Sequence, residues 1–239
     1  RANLFTTNYD MAFDYALDNL GVHYINGFMG VHNRCFRPEV YDYDIYYPGQ
    51  SVSGKVHRAE KVLRYYKMHG SLSWVSWKPA QSNVYGINEV TMNGTFEPSI
   101  DKQIIIYPCV SKKTFTLDLP YSELFRQFSQ AIIQPQSVLF CLGYSFYDEH
   151  INDIIYQALS IPSFTLIIAN YITNPEIQKL KCLDDPRIII LDETDSEQST
   201  FVGFVKNIMP DLYEENEQMI VVDTLNKLYP QVERKEKEA

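Results

Sequence analysis

Four places in this 239-residue sequence put reactive polar residues directly after a short apolar run. Thr7, Asn8 and Asp10 follow the first such run, and His69 and Ser71 follow VLRYYKM. Gly143, Tyr144 and Ser145 follow VLFCL, and Asn170 follows FTLIIA. Apolar runs of this length read as strands, and ligands bind in open α/β sheets at the carboxyl ends of parallel strands. An imidazole, carboxamides, a carboxylate and hydroxyls beside helix N-termini make a plausible site for a phosphate-bearing substrate. His69 is the natural base, because an unperturbed imidazole titrates near ~6.5. Taken singly, each of these residues also has a plain reading: a structural histidine, or an Asn or Asp that caps a helix.

The elements that must position these groups begin with residues 137–159, SVLFCLGYSFYDEHINDIIYQAL. Val138 to Leu142 predicts a strand buried on both faces, Gly143 a turn, and Ile151, Ile154, Ile155, Ala158 and Leu159 the apolar stripe of a helix. Asp148 stands at the expected N-cap with Glu149 in the first turn. A strand over residues 2–7 leads to a helix with Asp10 as N-cap, apolar spacing through Phe13, Ala16, Leu17 and Leu20, and Gly21 at its end.

Residues 22–60 lose periodicity and read as a loop-rich insertion with short strands. Further strands are expected over residues 62–68, 104–107, 164–169 and 187–191. A hairpin is expected at Gly86 or Asn93-Gly94, and a loop over residues 111–119. Helices are expected from Pro120 to Pro135, from Asn174-Pro175, over residues 201–209 and over about residues 214–229, with a charged tail at 233–238. Strands alternating with helices define an α/β class: a Rossmann-like parallel sheet with helices on both faces. Residues 1–213 form the main domain and 214–239 a C-terminal helix and tail.

The formal net charge of −9 and pI near 5.0 argue against a nucleic-acid surface, and no dense Lys/Arg patch occurs. No apolar run is long enough to span a membrane. The four cysteines (Cys35, Cys109, Cys141 and Cys182) are scattered, which suits reduced thiols in a cytoplasmic setting.

TTNYD (residues 6–10), KMHGS (67–71), GYSFYDEHIN (143–152) and IIAN (167–170), in this order, resemble the Sir2 superfamily, and most closely the bacterial SIR2-like domains of anti-phage defence proteins. The resemblance covers roughly residues 2–192. It implies NAD as substrate and His69, Asn8 and Asp10 as catalytic residues, with Asp10 on the nicotinamide side. It also implies dinucleotide contacts from Thr7, Ser71, Gly143, Tyr144, Ser145 and Asn170. Partners implied are a second copy of the chain, other subunits or domains of a defence system, or both.

Three departures shape the expectation. Sirtuin deacylases carry a zinc module of two CxxC pairs; this sequence has no CxxC, and His32-x-x-Cys35 lacks a second pair, so no metal is expected. Thr7 stands where sirtuins usually carry Gln. Both favour NAD+ glycohydrolysis over deacylation. The family's Gly-rich phosphate loop does not precede TTNYD, so the first βα unit is expected to be missing or to belong to residues not given. Breaking the nicotinamide–ribose bond needs no general acid, since nicotinamide leaves as a neutral molecule, and the enzyme has only to stabilise an oxocarbenium-like centre and deliver water. The alternatives are a non-catalytic nucleotide-binding or assembly module and an NAD-dependent deacylase.

Overall fold

The computed structural model describes residues 1–48, 56–92, 102–106, 118–169, 174–191, 200–209 and 215–228. Its architecture is mixed α/β with parallel sheets. β7 (Val62–Lys67) is the centre of one sheet, flanked in parallel by β1 (Asn3–Thr6) and β2 (His23–Ile25). Its central place explains why Val62, Tyr65, Tyr66 and Lys67 are all buried. Thr6 lies opposite Lys67, so the residues after both strands emerge at one edge.

A second parallel sheet holds β11 (Val138–Leu142), β12 (Thr165–Ala169) and β13 (Ile188–Leu191) in that order, with Leu142 opposite Ala169. β12 is buried through Leu166 and Ile168. β11 departs from the expectation of burial on both faces: Val138 and Phe140 are 52% and 51% exposed, while Cys141 is buried. Val138 and Phe140 alternate with Cys141 along the strand, so they share the opposite face, and that face stays half open to solvent.

The expected single sheet is therefore two three-stranded parallel sheets among the described residues. Beside them stands a five-stranded antiparallel sheet, in the order β10-β8-β9-β4-β3. It comprises β3 (Phe28–Met29), β4 (Arg34–Phe36), β8 (Gly70–Ser76), β9 (Ile87–Glu89) and β10 (Gln103–Ile105). β8 was not expected. Its sequence, GSLSWVS, lacks an apolar alternation because Ser71 and Ser73 are buried along with Trp74 and Val75. β8 and β9 form the hairpin expected near Gly86, with Ser76 opposite Ile87. β10 was expected as a buried strand and instead closes the outer side of this sheet. Within residues 22–60, β5 (Tyr46–Pro48) pairs with β6 (Val56–Arg58), and β2 joins β7. The alternative turn at Asn93-Gly94, the loop at 111–117, Cys109 and the tail at 233–238 lie outside the described residues.

Among the described residues, six α-helices accompany these strands: α1 (Ala12–Asn19), α2 (Tyr121–Ile132), α3 (Glu149–Ala158), α4 (Pro175–Cys182), α5 (Phe201–Asn207) and α6 (Glu215–Leu228). α2 keeps the expected stripe, burying Tyr121, Leu124, Phe125, Phe128 and Ile132, and packs against α3. Each such fully buried side chain contributes about 1.5–3 kcal/mol. The α2 stripe meets the first sheet through Phe5, whose ring lies 4.9 Å from Phe128 and stacks on Tyr66 at 4.4 Å. α3 buries Ile151, Ile155 and Ala158 as its spacing predicts. No helix among the described residues is long and apolar enough to cross a membrane.

Candidate active site

His69 sits in the turn between β7 and β8 and is 5% exposed. Two features hold its backbone. Its carbonyl accepts a hydrogen bond from Ile106 N at 2.8 Å. Gly70 follows at φ +82°, where a Cβ would fall 2.0 Å from the Ile104 carbonyl oxygen; only glycine fits there.

The imidazole points toward the start of α3. Its Nε2 lies 3.9 Å from Oδ2 of Asp148, itself 7% exposed. Asp148 does occupy the N-cap position, with extended backbone, but its side chain does not close the cap. Instead it brings the turn after β11 to the turn after β7, across two separate sheets. The His150 ring lies 6.1 Å from that of His69, and Phe125 meets His150 edge to face at 4.6 Å.

The turn carrying Asp148 is tied down from within. Tyr144 donates its hydroxyl hydrogen toward Asn152 Oδ1 at 2.9 Å and the Asp148 carbonyl at 3.2 Å, and burial pushes its phenol pKa well up. Asn152 Nδ2 donates to the Phe146 carbonyl at 2.8 Å. Gly143 adopts φ +63° with open space where a Cβ would be, so its backbone conformation rather than a close neighbour calls for glycine. Its N–H donates to the Ala169 carbonyl at 3.0 Å. Asn174 caps α4 through Ile177 N at 2.9 Å and also donates to the Ser145 carbonyl. Tyr144 is thus half-buried in the turn, while Gly143 and Ser145 are exposed.

At the end of β1, Thr7 is half-buried and Asn8 and Asp10 are exposed. The Asn8 N–H donates to Thr6 Oγ1 at 3.1 Å, and the Tyr9 carbonyl accepts from Leu72 N at 2.9 Å, tying this turn to β8. Asp10 was expected as the N-cap of α1. The cap position belongs to Met11, and Asp10 Oδ1 instead accepts from Ala12 N at 2.9 Å, closing the turn before the helix. Register places Asn8 and His69 each two residues past the ends of paired strands, on the same edge.

Ser71 lies apart from that edge's surface. It is fully buried, accepts from Lys67 Nζ at 2.8 Å and lies 2.9 Å from Ser73 Oγ. Lys67 is buried too, and its ammonium meets Asp14 Oδ2 at 2.7 Å and the Asp10 carbonyl at 2.6 Å. Asp14 also accepts from the Tyr65 hydroxyl at 3.1 Å. Asn170 lies outside the described residues. Sequence reasoning missed Asp14, Lys67 and His150. α1 does not keep its expected stripe: it buries Asp14 and Leu17, while Ala16 and Leu20 are exposed, and no sequence signal marks Asp14 for burial.

Two surface cavities, of about 650 Å³ and 430 Å³, lie elsewhere. The larger is lined by β4, β8 and β9 with Trp77, the smaller by α1, His23, Ser73 and Glu89; neither includes Asn8, His69 or Asp148. What distinguishes the candidate site is not volume but a buried imidazole facing a buried carboxylate.

A buried histidine at the carboxyl edge of a parallel sheet, facing a glycine turn and a helix start, stands where open α/β sheets bind their ligands. Residues 2–181 match the family model described as SIR2-like domain, and the chain belongs to that family, within the Sir2 superfamily, whose chemistry uses NAD. Comparison with curated proteins gives no match.

Proposed function

We propose that this domain is an NAD+ glycohydrolase, cleaving the nicotinamide–ribose bond to give nicotinamide and ADP-ribose, and that it serves anti-phage defence in the cytoplasm by depleting NAD. The observation that carries the reading is the His69 imidazole, buried with the Asp148 carboxylate 3.9 Å from its Nε2. In this reading nicotinamide departs as a neutral molecule, and water adds its oxygen to C1′ of the ribose. His69 accepts the water's proton, directly or through a ribose hydroxyl. Asp148 stabilises the imidazolium so formed and holds the ring in place. Asn8 positions the water or the ribose hydroxyls, and Asp10 fixes the turn that carries it.

The Gly143–Ser145 turn contacts ribose rather than pyrophosphate. Asp148 and Glu149 place negative charge at the start of α3, where a diphosphate would be repelled. Asn170 completes the ribose side. Assembly with further copies of the chain or with other defence subunits would govern when the site is active.

The test is nicotinamide release from NAD+ by the protein or its full-length parent, with its trigger where one is needed. His69→Ala and Asn8→Ala should each abolish release while the far-UV circular dichroism stays unchanged. NAD+ binding without turnover in the triggered protein would instead support a non-catalytic nucleotide-binding module, and a product that depends on acetyl-peptide would support a deacylase.

A further inference from the structure

We propose that His69, Asp148 and His150 form a binding site for one divalent first-row transition cation, and that the bound ion switches the domain off. The three residues each offer one ligand atom, and these atoms all lie within 4.8 Å of one another. His69 and Asp148 are buried and His150 is half-buried. Two imidazoles and one carboxylate suit Zn²⁺, Co²⁺, Ni²⁺ or Fe²⁺, whereas Mg²⁺ and Ca²⁺ prefer all-oxygen sites. With ligand bonds of about 2.0–2.1 Å, tetrahedral ligands sit roughly 3.3 Å apart, so the widest pair has to close by about 1.5 Å. Binding therefore draws the three side chains together, His150 from the first turn of α3.

The supports around the three ligands are firm. Ile106 N and Gly70 hold the His69 turn, the Tyr144 hydroxyl contacts the Asp148 carbonyl, and the Phe125 ring flanks His150. The positive end of the α3 dipole, about half a charge, opposes a cation; Asp148 and Glu149 more than offset it. Coordination by the His69 imidazole competes with its acceptance of the proton in hydrolysis. Cation binding stands apart from the NAD reading, and only its inhibitory consequence rests on that reading.

The experiment uses the whole chain after dialysis against a chelator. Titration with Co²⁺ should produce visible d–d bands that saturate at one ion per chain, and Zn²⁺ should displace the Co²⁺. His150→Ala should weaken Co²⁺ binding by at least about tenfold with an unchanged thermal melt. His150→Gln is the second variant should the first fail to fold. Zn²⁺ should inhibit nicotinamide release in the wild type and not in His150→Ala, whose metal-free activity stays at the wild-type level. Absence of d–d bands at millimolar Co²⁺, or equal Co²⁺ affinity in wild type and both variants, overturns the site. Co²⁺ binding that depends on His150, in a protein that releases no nicotinamide, upholds the site and removes the NAD reading instead.

Discussion

Lys67 Nζ and Asp14 Oδ2 are 2.7 Å apart, both buried, on the strand that leads into His69 and on the helix that follows Asn8. The pair is a polar knot inside the fold: Tyr65, Ser71 and the Asp10 carbonyl complete its hydrogen bonds. It joins the two turns that carry the proposed water-positioning amide and the proposed base. Removing one partner leaves the other charge buried and uncompensated, at a cost of about 3–5 kcal/mol. Asp14→Ala should therefore lower the urea midpoint sharply, while Asp14→Leu combined with Lys67→Met should recover most of the loss. Equal stability of Asp14→Ala and wild type would show that the pair contributes nothing.

In the proposed reaction Asp148 acts as a positioning residue, so its effect should fall on turnover rather than on binding. Two unit charges ~4 Å apart attract by about 4 kcal/mol at an effective dielectric near 20, and relaxation lowers the net value. Asp148→Asn should reduce kcat of nicotinamide release by roughly 10²-fold, about 2.7 kcal/mol, with KM nearly unchanged. Asp148→Glu should recover part of the rate. A rise in KM at constant kcat would place Asp148 in substrate binding instead.

Thiol reactivity should rank by burial. Burial pushes the Cys141 thiol up to about 12, whereas Cys182 is exposed. At pH 8 iodoacetamide should label Cys182 within minutes and leave Cys141 untouched until denaturant is added. Mass spectrometry of the digested protein reads the order, and early labelling of Cys141 would show that β11 opens in the folded protein.

Acid should loosen the start of β13. Arg187 holds Asp185 down to about 2, and the same guanidinium donates to the Leu159 and Ile161 carbonyls at the end of α3. A carboxylate with a lowered folded pKa stabilises the fold above its ordinary value near ~3.9, and loses that contribution as pH falls through the folded value. The Tm of wild type should exceed that of Asp185→Asn at pH 5 and above, and the gap should narrow between pH ~4 and about 2. A gap independent of pH would mean that the side chain acts by packing alone.

Much of this molecule is legible along the chain, and what is not follows a physical pattern. α2 and α3 show their stripes because one face of each meets the core and the other meets water. β8 hides because Ser71 and Ser73 are buried by hydrogen bonding rather than by apolarity, so its alternation vanishes. Asp14 and Lys67 look like solvated surface charges until the fold pairs them. Asp148 reads as a cap from spacing alone, since position is local; its turn toward His69 depends on two sheets meeting, which no local pattern encodes. His69 and Asn8 were readable because each ends a strand, and strand register carries them to the same edge.

The hydrogen bond from Ile106 N to the His69 carbonyl, with Gly70 pressed against Ile104, couples the imidazole mechanically to the outermost strand of the antiparallel sheet. The end of β10 thus holds the backbone of the residue whose imidazole faces Asp148, so a change in the seating of that strand would reach His69 through the main chain.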